Sequence, residues 1–264
     1  MSVPYCALLQ VSEHTVSLVA EKLKEQFVRT PKLPYFDIAI VGLLYMAEHK
    51  TLTQLKDEFG ISVGGAYNYT TVVRQVLAAL LDPGLTDLVG ALHNHDHVVL
   101  DGTSFTFTQK YKQGFYTKKK GNSCVNVQFI TDLSGSVLWF SPALPGATHD
   151  TKACKTFDVA GAAAATGTVV YADKGYVGAG VDGFGTDHGT MCNISRVYRN
   201  TSQEVKDSNK IISRIRRVVK TPFSRLKNWN ILTKCRMHLS RGLGRVDTML
   251  QAVVSLHLLE GKSW

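Results

Sequence analysis

A change of hydrophobic period near residue 95 limits the folds open to this chain more than any other feature. Up to that point apolar residues recur at helical spacing through Val16 to Phe27, Phe36 to Glu48 and Val63 to Leu81, with almost no strand-like alternation. From His97 onward VVLDG, CVNVQFITD, SVLWFSPAL and TVVYAD are short runs rich in Val, Ile and aromatics, bounded by Gly, Asp and Pro, and they predict strands. Asp132-Leu133-Ser134-Gly135 lies between two of them as a hairpin turn. A glycine-rich loop, GAGVDGFGTDHG, follows Tyr176, and from Gln203 to about Arg245 the pattern is helical again. The expected architecture is α/β: an all-α region over residues 1–95, then a region of strands and helices over 96–260.

Charge narrows the class of partner. The chain of 264 residues carries 30 Lys and Arg against 21 Asp and Glu, a net +9. Between Lys206 and Arg245 twelve Lys or Arg face the single acid Asp207, so this one segment exceeds the surplus of the whole chain. Such a balance points to a polyanion or an acidic membrane surface, although a merely basic soluble protein would have it too. The longest apolar stretch, Ile38 to Ala47, is too short to span a bilayer, and the N-terminus lacks a charged stretch leading into an apolar run. These features predict an intracellular protein with no membrane partner, in the cytoplasm or nucleoid if the host is bacterial. The five cysteines form no CxxC pair, which argues against a disulfide framework or a zinc ribbon.

Residues 51–81 have the layout of a helix-turn-helix. Thr51 can cap a first helix with Gln54 three places on, Gly60 ends it, and Ser62 can cap a second. In the second helix Ala66, Tyr69, Val73, Val76 and Leu80 share one face, which leaves Gly64, Tyr67, Asn68 and Thr71 to face a DNA groove. An ordinary helical hairpin with a glycine turn would look the same. Two further tracks suit phosphate contacts: Lys110, Lys112, Lys118, Lys119 and Lys120, interleaved with Tyr111, Phe115 and Tyr116, and the basic helices with Arg214, Arg217, Arg225 and Lys227.

Two aspartates end strand-like runs: Asp101 after His97-Val98-Val99-Leu100, and Asp173 after Val169-Val170-Tyr171-Ala172. Carboxylates at the ends of adjacent buried strands can share divalent cations that act on a phosphodiester. On position alone both would serve equally well as turn or capping residues.

The words around them carry a resemblance. VVLDGT around Asp101, SPALPGATHD ending at His149 and Asp150, ADKGY around Asp173, and RRVVKTPFSRLKNWNIL from Arg216 to Leu232 occur in order, and the chain resembles the insertion-sequence and Harbinger-like DDE superfamily endonucleases over about residues 35 to 258. That resemblance implies an RNase H-like nuclease domain in which Asp101 and Asp173 are the first two members of a metal-binding acidic triad. His149 and Asp150 match a supporting polar pair, though Asp150 would equally cap a helix beginning at Thr151. The implied cofactor is a divalent metal, magnesium or manganese. The implied partner is double-stranded DNA, both transposon ends and target, bound by a homo-oligomer.

The third member should be a glutamate in a word of the form R-x-x-V-E-x-x-F-x-x-L-K-x-W. Arg216, Val219, Phe223, Leu226, Lys227 and Trp229 fill the other positions without a gap, and Lys220 stands where the glutamate belongs. An ammonium cannot ligate magnesium and repels it. Pro222 also disturbs the helix there, unless a new helix begins at that point. The expectation is weakened strand cutting. The alternatives are a transposase-derived DNA-binding protein without catalysis, and residual nicking that relies on Asp101, Asp173 and Asp150.

Overall fold

The computed structural model describes residues 5, 6, 9, 11–108, 114–117, 121–179, 191–193, 201–233 and 243–260. They pack as two compact units, Met1–Leu81 with Leu226–Ser263, and Asp82–Arg225.

The first unit is helical. Ser12 starts α1 (Glu13–Lys24) by accepting the Thr15 N–H at 3.2 Å. The Glu260 carboxylate, from the far end of the chain, accepts both the N–H and the hydroxyl of Ser12 at 3.0 Å. Helix α2 (Tyr35–Ala47) is apolar nearly all round, and its run from Ile38 to Leu44 is buried, as such a helix must be. Helix α3 (Leu52–Phe59) opens with a capping box: the Thr51 hydroxyl accepts the Gln54 N–H at 3.2 Å and the Gln54 side chain accepts the Thr51 N–H at 2.8 Å. It closes on Gly60 at a φ of 63°, and Ser62 caps α4 (Val63–Ala79) by accepting the Gly65 N–H at 3.0 Å. The α4 face with Ala66, Tyr69, Val73 and Val76 is buried, while Leu80 is half-buried. Helix α2 can approach it because Gly42 has no side chain; a Cβ there would lie 2.3 Å from Val73 Cγ1. The C-terminal helix, Gly244–Leu259, packs along α4 in the same unit.

In the second unit α5 (Leu88–His93) leads into a mixed sheet of β1 (His97–Thr106), β2 (Tyr116–Thr117), β3 (Asn122–Thr131), β4 (Val137–Phe140), β5 (Leu144–Pro145), β6 (Val169–Ala172) and β7 (Met191–Asn193). The strand order is β2-β3-β1-β6-β7, with β4 and β5 also paired to β3. Strand β1 runs antiparallel to β3 and parallel to β6, with Val99 opposite Tyr171. Two residues further along that register, Asp101 and Asp173 fall at the same end of the pair.

Helices α6 (Asp150–Thr156) and α7 (Val159–Thr166) belong to a core with Val98, Leu100, Val170, Ala172 and Tyr176. Alternation along β1 sends Asp101 to the opposite face from Val98 and Leu100. That face carries Phe129, the strand partner of Asp101, which meets Phe223 edge-on at 5.3 Å between ring centres. Phe223 comes from the last part of the unit: α8 (Gln203–Ile215), a 3-10 turn over Arg216–Val219, and α9 (Lys220–Lys227). Because α9 starts at Lys220, Pro222 sits in its first turn, where a missing N–H costs nothing. Among the described residues no helix is long and apolar enough to cross a membrane.

Candidate active site

Strands β1 and β3 and the segment from Arg216 to Lys220 meet at Asp101. Its side chain is only 8% exposed and has both oxygens engaged: Oδ2 accepts from the Lys220 ammonium, while Oδ1 accepts the Gly102 N–H at 3.0 Å and lies 3.4 Å from Arg216 Nη2. The same guanidinium nitrogen lies 3.8 Å from Asp173 Oδ2. Asp173, at the start of a 3-10 turn after β6, accepts the Gly175 N–H on Oδ1 at 2.6 Å. One cation, Arg216, therefore spans the two strand-end carboxylates, and a second, Lys220, holds Asp101 alone. Lys220 also lies over the Phe223 ring, 5.6 Å from its centre.

Asp150 approaches from the other side of the sheet. It occupies the first turn of α6 behind His149, whose side chain makes no capping bond, and it turns inward. Its Oδ1 accepts from Asn126 Nδ2 at 3.3 Å; Asn126 Oδ1 accepts from Gln128 Nε2 at 3.1 Å, and Gln128 Oε1 accepts from the Tyr176 hydroxyl. Asn126, Gln128 and Tyr176 are buried, so this connected chain satisfies polar groups that would otherwise be costly. Gly102 makes room for it, since a Cβ there would lie 2.8 Å from Gln128 Nε2 and 2.9 Å from Asp150 Oδ1. Burial raises the Asp150 carboxyl above its usual range; the Asn126 and Gln128 bonds oppose the rise, and the charges of Asp173 and Asp101 add to it. Burial, with the three aspartates, also pushes the Tyr176 phenol well above its ordinary value.

A divalent ion does not fit this donor set as folded. Hard carboxylate oxygens are present, but the ones at Asp101 face an ammonium and a guanidinium instead of open space. Among the described residues no group of three His, Cys, Asp or Glu is arranged to hold a metal ion.

Thus Asp101, Asp150, Asp173 and Lys220 come together, while His149 is exposed at the head of α6. Arg216 was missed, although it lies one helical turn before Lys220 and so shares its face. Asn126 and Gln128 were missed too; their signal is a pair of polar residues at period two inside an otherwise apolar strand. Elsewhere, Tyr67 and Asn68 are exposed on α4 and Thr71 is half-buried. The Tyr67 hydroxyl accepts from Arg245 Nη2 at 3.0 Å, within the first unit. Arg214 and Arg217 are exposed on the α8 segment, and Arg225 and Lys227 are half-buried on α9. Lys118, Lys119 and Lys120, with Lys110, Lys112 and most of the glycine-rich loop, lie outside the described residues.

The chain is 22% identical over 255 residues to a probable transposase for insertion sequence element IS702 from Microchaete diplosiphon, an alignment spanning 90% of this chain and 86% of that one. No solved structure gives a significant match. The family model described as DDE superfamily endonuclease matches residues 100–257, more than half of the chain and beginning one residue before Asp101. The chain therefore belongs to the DDE superfamily of endonucleases.

Proposed function

We propose that this chain is a transposase-type protein that binds double-stranded DNA but cuts it weakly or not at all. One observation carries the reading: the ammonium of Lys220 rests on the Asp101 carboxylate, where the DDE resemblance expects a third acid. In relatives with that acid, bound magnesium or manganese supplies the charge that activates the attacking oxygen and stabilises the leaving one. Here the donors do not fit such an ion, because the Asp101 oxygens already face two cations.

The DNA-binding half of the reading rests on different parts. Helices α3 and α4 form a capped helix-turn-helix that presents Tyr67, Asn68 and Thr71, and Arg245 adds a cation beside Tyr67. The second unit has an RNase H-like fold whose basic residues Arg214, Arg217 and Arg225, together with Lys118, Lys119 and Lys120 and with Lys227 just beyond it, hold phosphates. Two copies on paired DNA ends complete the proposal, in the cytoplasm or nucleoid of a bacterial host. A second reading, residual nicking through Asp101, Asp150 and Asp173, is favoured by the closeness of Asp150 to both other carboxylates and opposed by the two cations among them.

Fluorescence anisotropy with a labelled duplex carrying the inverted repeats that flank the coding sequence tests the reading. Binding that weakens steeply with salt and is unchanged by a metal chelator supports it. No binding to the repeats or to unrelated duplex removes it.

A further inference from the structure

Along α8 and the 3-10 turn after it, Lys206, Asn209, Lys210, Ser213, Arg214 and Arg217 line one open cavity of about 280 Å³. Their spacing is i, i+3, i+4, i+7, i+8 and i+11, a single helical face. In a helix that packs against a partner this spacing carries an apolar stripe. Here every member is cationic or hydrogen-bonding, and no acid is among them. Lys210 shares its charge with Asp207 at 2.9 Å. The remaining cations, Lys206, Arg214 and Arg217, suit a ligand rich in anionic oxygen.

The face also has a direction. From Lys206 to Arg214 it extends about 12 Å at ~1.5 Å per helical residue. A DNA strand advances about 3.4 Å per phosphate, so this length follows several successive phosphates. Arg217 lines the cavity, while its neighbour Arg216 reaches Asp101 at 3.4 Å and Asp173 at 3.8 Å. The inner end of the cavity is therefore one residue along the chain from the guanidinium that spans the carboxylate centre.

We infer that the Lys206–Arg217 face is a phosphodiester track for the DNA strand flanking the carboxylate centre, and that it works with that centre closed. The inference rests on the DNA-binding reading above and assigns it a surface. Guanidinium groups at its inner end supply bidentate phosphate contacts, and the exposed Ser213 supplies a neutral donor between the charges.

The test uses the full chain and a labelled duplex, with affinity measured by anisotropy between about 50 and 200 mM salt. Arg214→Gln/Arg217→Gln is compared with Lys22→Gln/Lys24→Gln, which removes the same charge from exposed positions on α1. Abolishing one cation–phosphate pairing lowers the slope of log affinity against log salt by about 0.9, so the arginine pair should lower it by about 1.8. The α1 pair should leave it nearly unchanged. Lys206→Gln/Lys210→Gln repeats the comparison without touching the arginines, and thermal melts establish that each variant is folded. Equal slopes for track and control variants overturn the track while leaving DNA binding intact. Failure of the unaltered chain to bind any duplex overturns the track and the DNA-binding reading together.

Discussion

Lys220 sets its ammonium on Oδ2 of Asp101, a carboxylate 119 positions earlier in the chain. The two partners are unequal: the lysine side chain is 64% exposed and the aspartate 8%. Removing the aspartate strands the Arg216 guanidinium, itself 12% exposed, without its nearest counter-charge. Asp101→Ala should therefore cost about 3–5 kcal/mol, the penalty of breaking a buried pair. Lys220→Ala should cost less than about 1 kcal/mol, as for an exposed partner. Urea unfolding of both variants measures the difference, and a larger loss from Lys220→Ala would contradict the assignment of Arg216 as the buried partner.

Gly42 should tolerate no side chain. A Cβ would stand 2.3 Å from Val73 Cγ1 and 2.4 Å from Val73 Cβ, so α2 and α4 would have to separate. Gly42→Ala should destabilise by about 1–3 kcal/mol despite alanine's better helix propensity. Adding Val73→Ala should recover part of that loss, so the double variant is more stable than the two single effects summed. Simple additivity in denaturant unfolding would show that the contact is not the cause.

The hairpin turn at Asp132 gives a pH dependence. Burial works against ionisation of this carboxyl, but the Ser134 hydroxyl and the N–H groups of Ser136, Ser134 and Gly135 outweigh it and hold the group below the usual carboxylate range. A depressed folded-state value stabilises the protein above the unfolded value of about 3.9 and is lost as pH falls through the folded one. Asp132→Asn should therefore cost about 1 kcal/mol at pH 7, after discounting for solvent screening. The difference should shrink as pH drops below about 4. A penalty that is constant from pH 7 to pH 3 would mean that the charge of Asp132 is irrelevant to the turn.

The sequence announced much of this arrangement and hid some of it for physical reasons. Strands β1, β3, β4 and β6 each carry an apolar run long enough to show, whereas β2 and β5 have two residues and β7 three, too few for a period. The caps at Thr51 and Ser62 were legible because capping is local chemistry. That Gly244–Leu259 packs along α4 was not, because periodicity marks an apolar face without naming its partner. At the candidate site, Asp101 and Asp173 stood out as strand-end acids and Lys220 as a charge in the wrong place. The contact of Arg216 with both aspartates depends on strand register and on α9 restarting after a 3-10 turn, neither of which is local. Asp150 read equally as a helix cap and as one of a supporting polar pair. Its inward turn depends on Asn126 and Gln128, more than twenty residues earlier, and on the missing side chain of Gly102.

The most direct test is a magnesium-dependent cleavage assay on duplex DNA carrying the inverted-repeat ends that flank the coding sequence, comparing the unaltered chain, Lys220→Glu, and Lys220→Glu with Asp101→Ala. If the ammonium closes the centre, the unaltered chain is inert or nearly so, Lys220→Glu cuts, and adding Asp101→Ala abolishes cutting. If the unaltered chain already cuts as fast as Lys220→Glu, Lys220 does not close the centre and the acidic set must be drawn from other carboxylates.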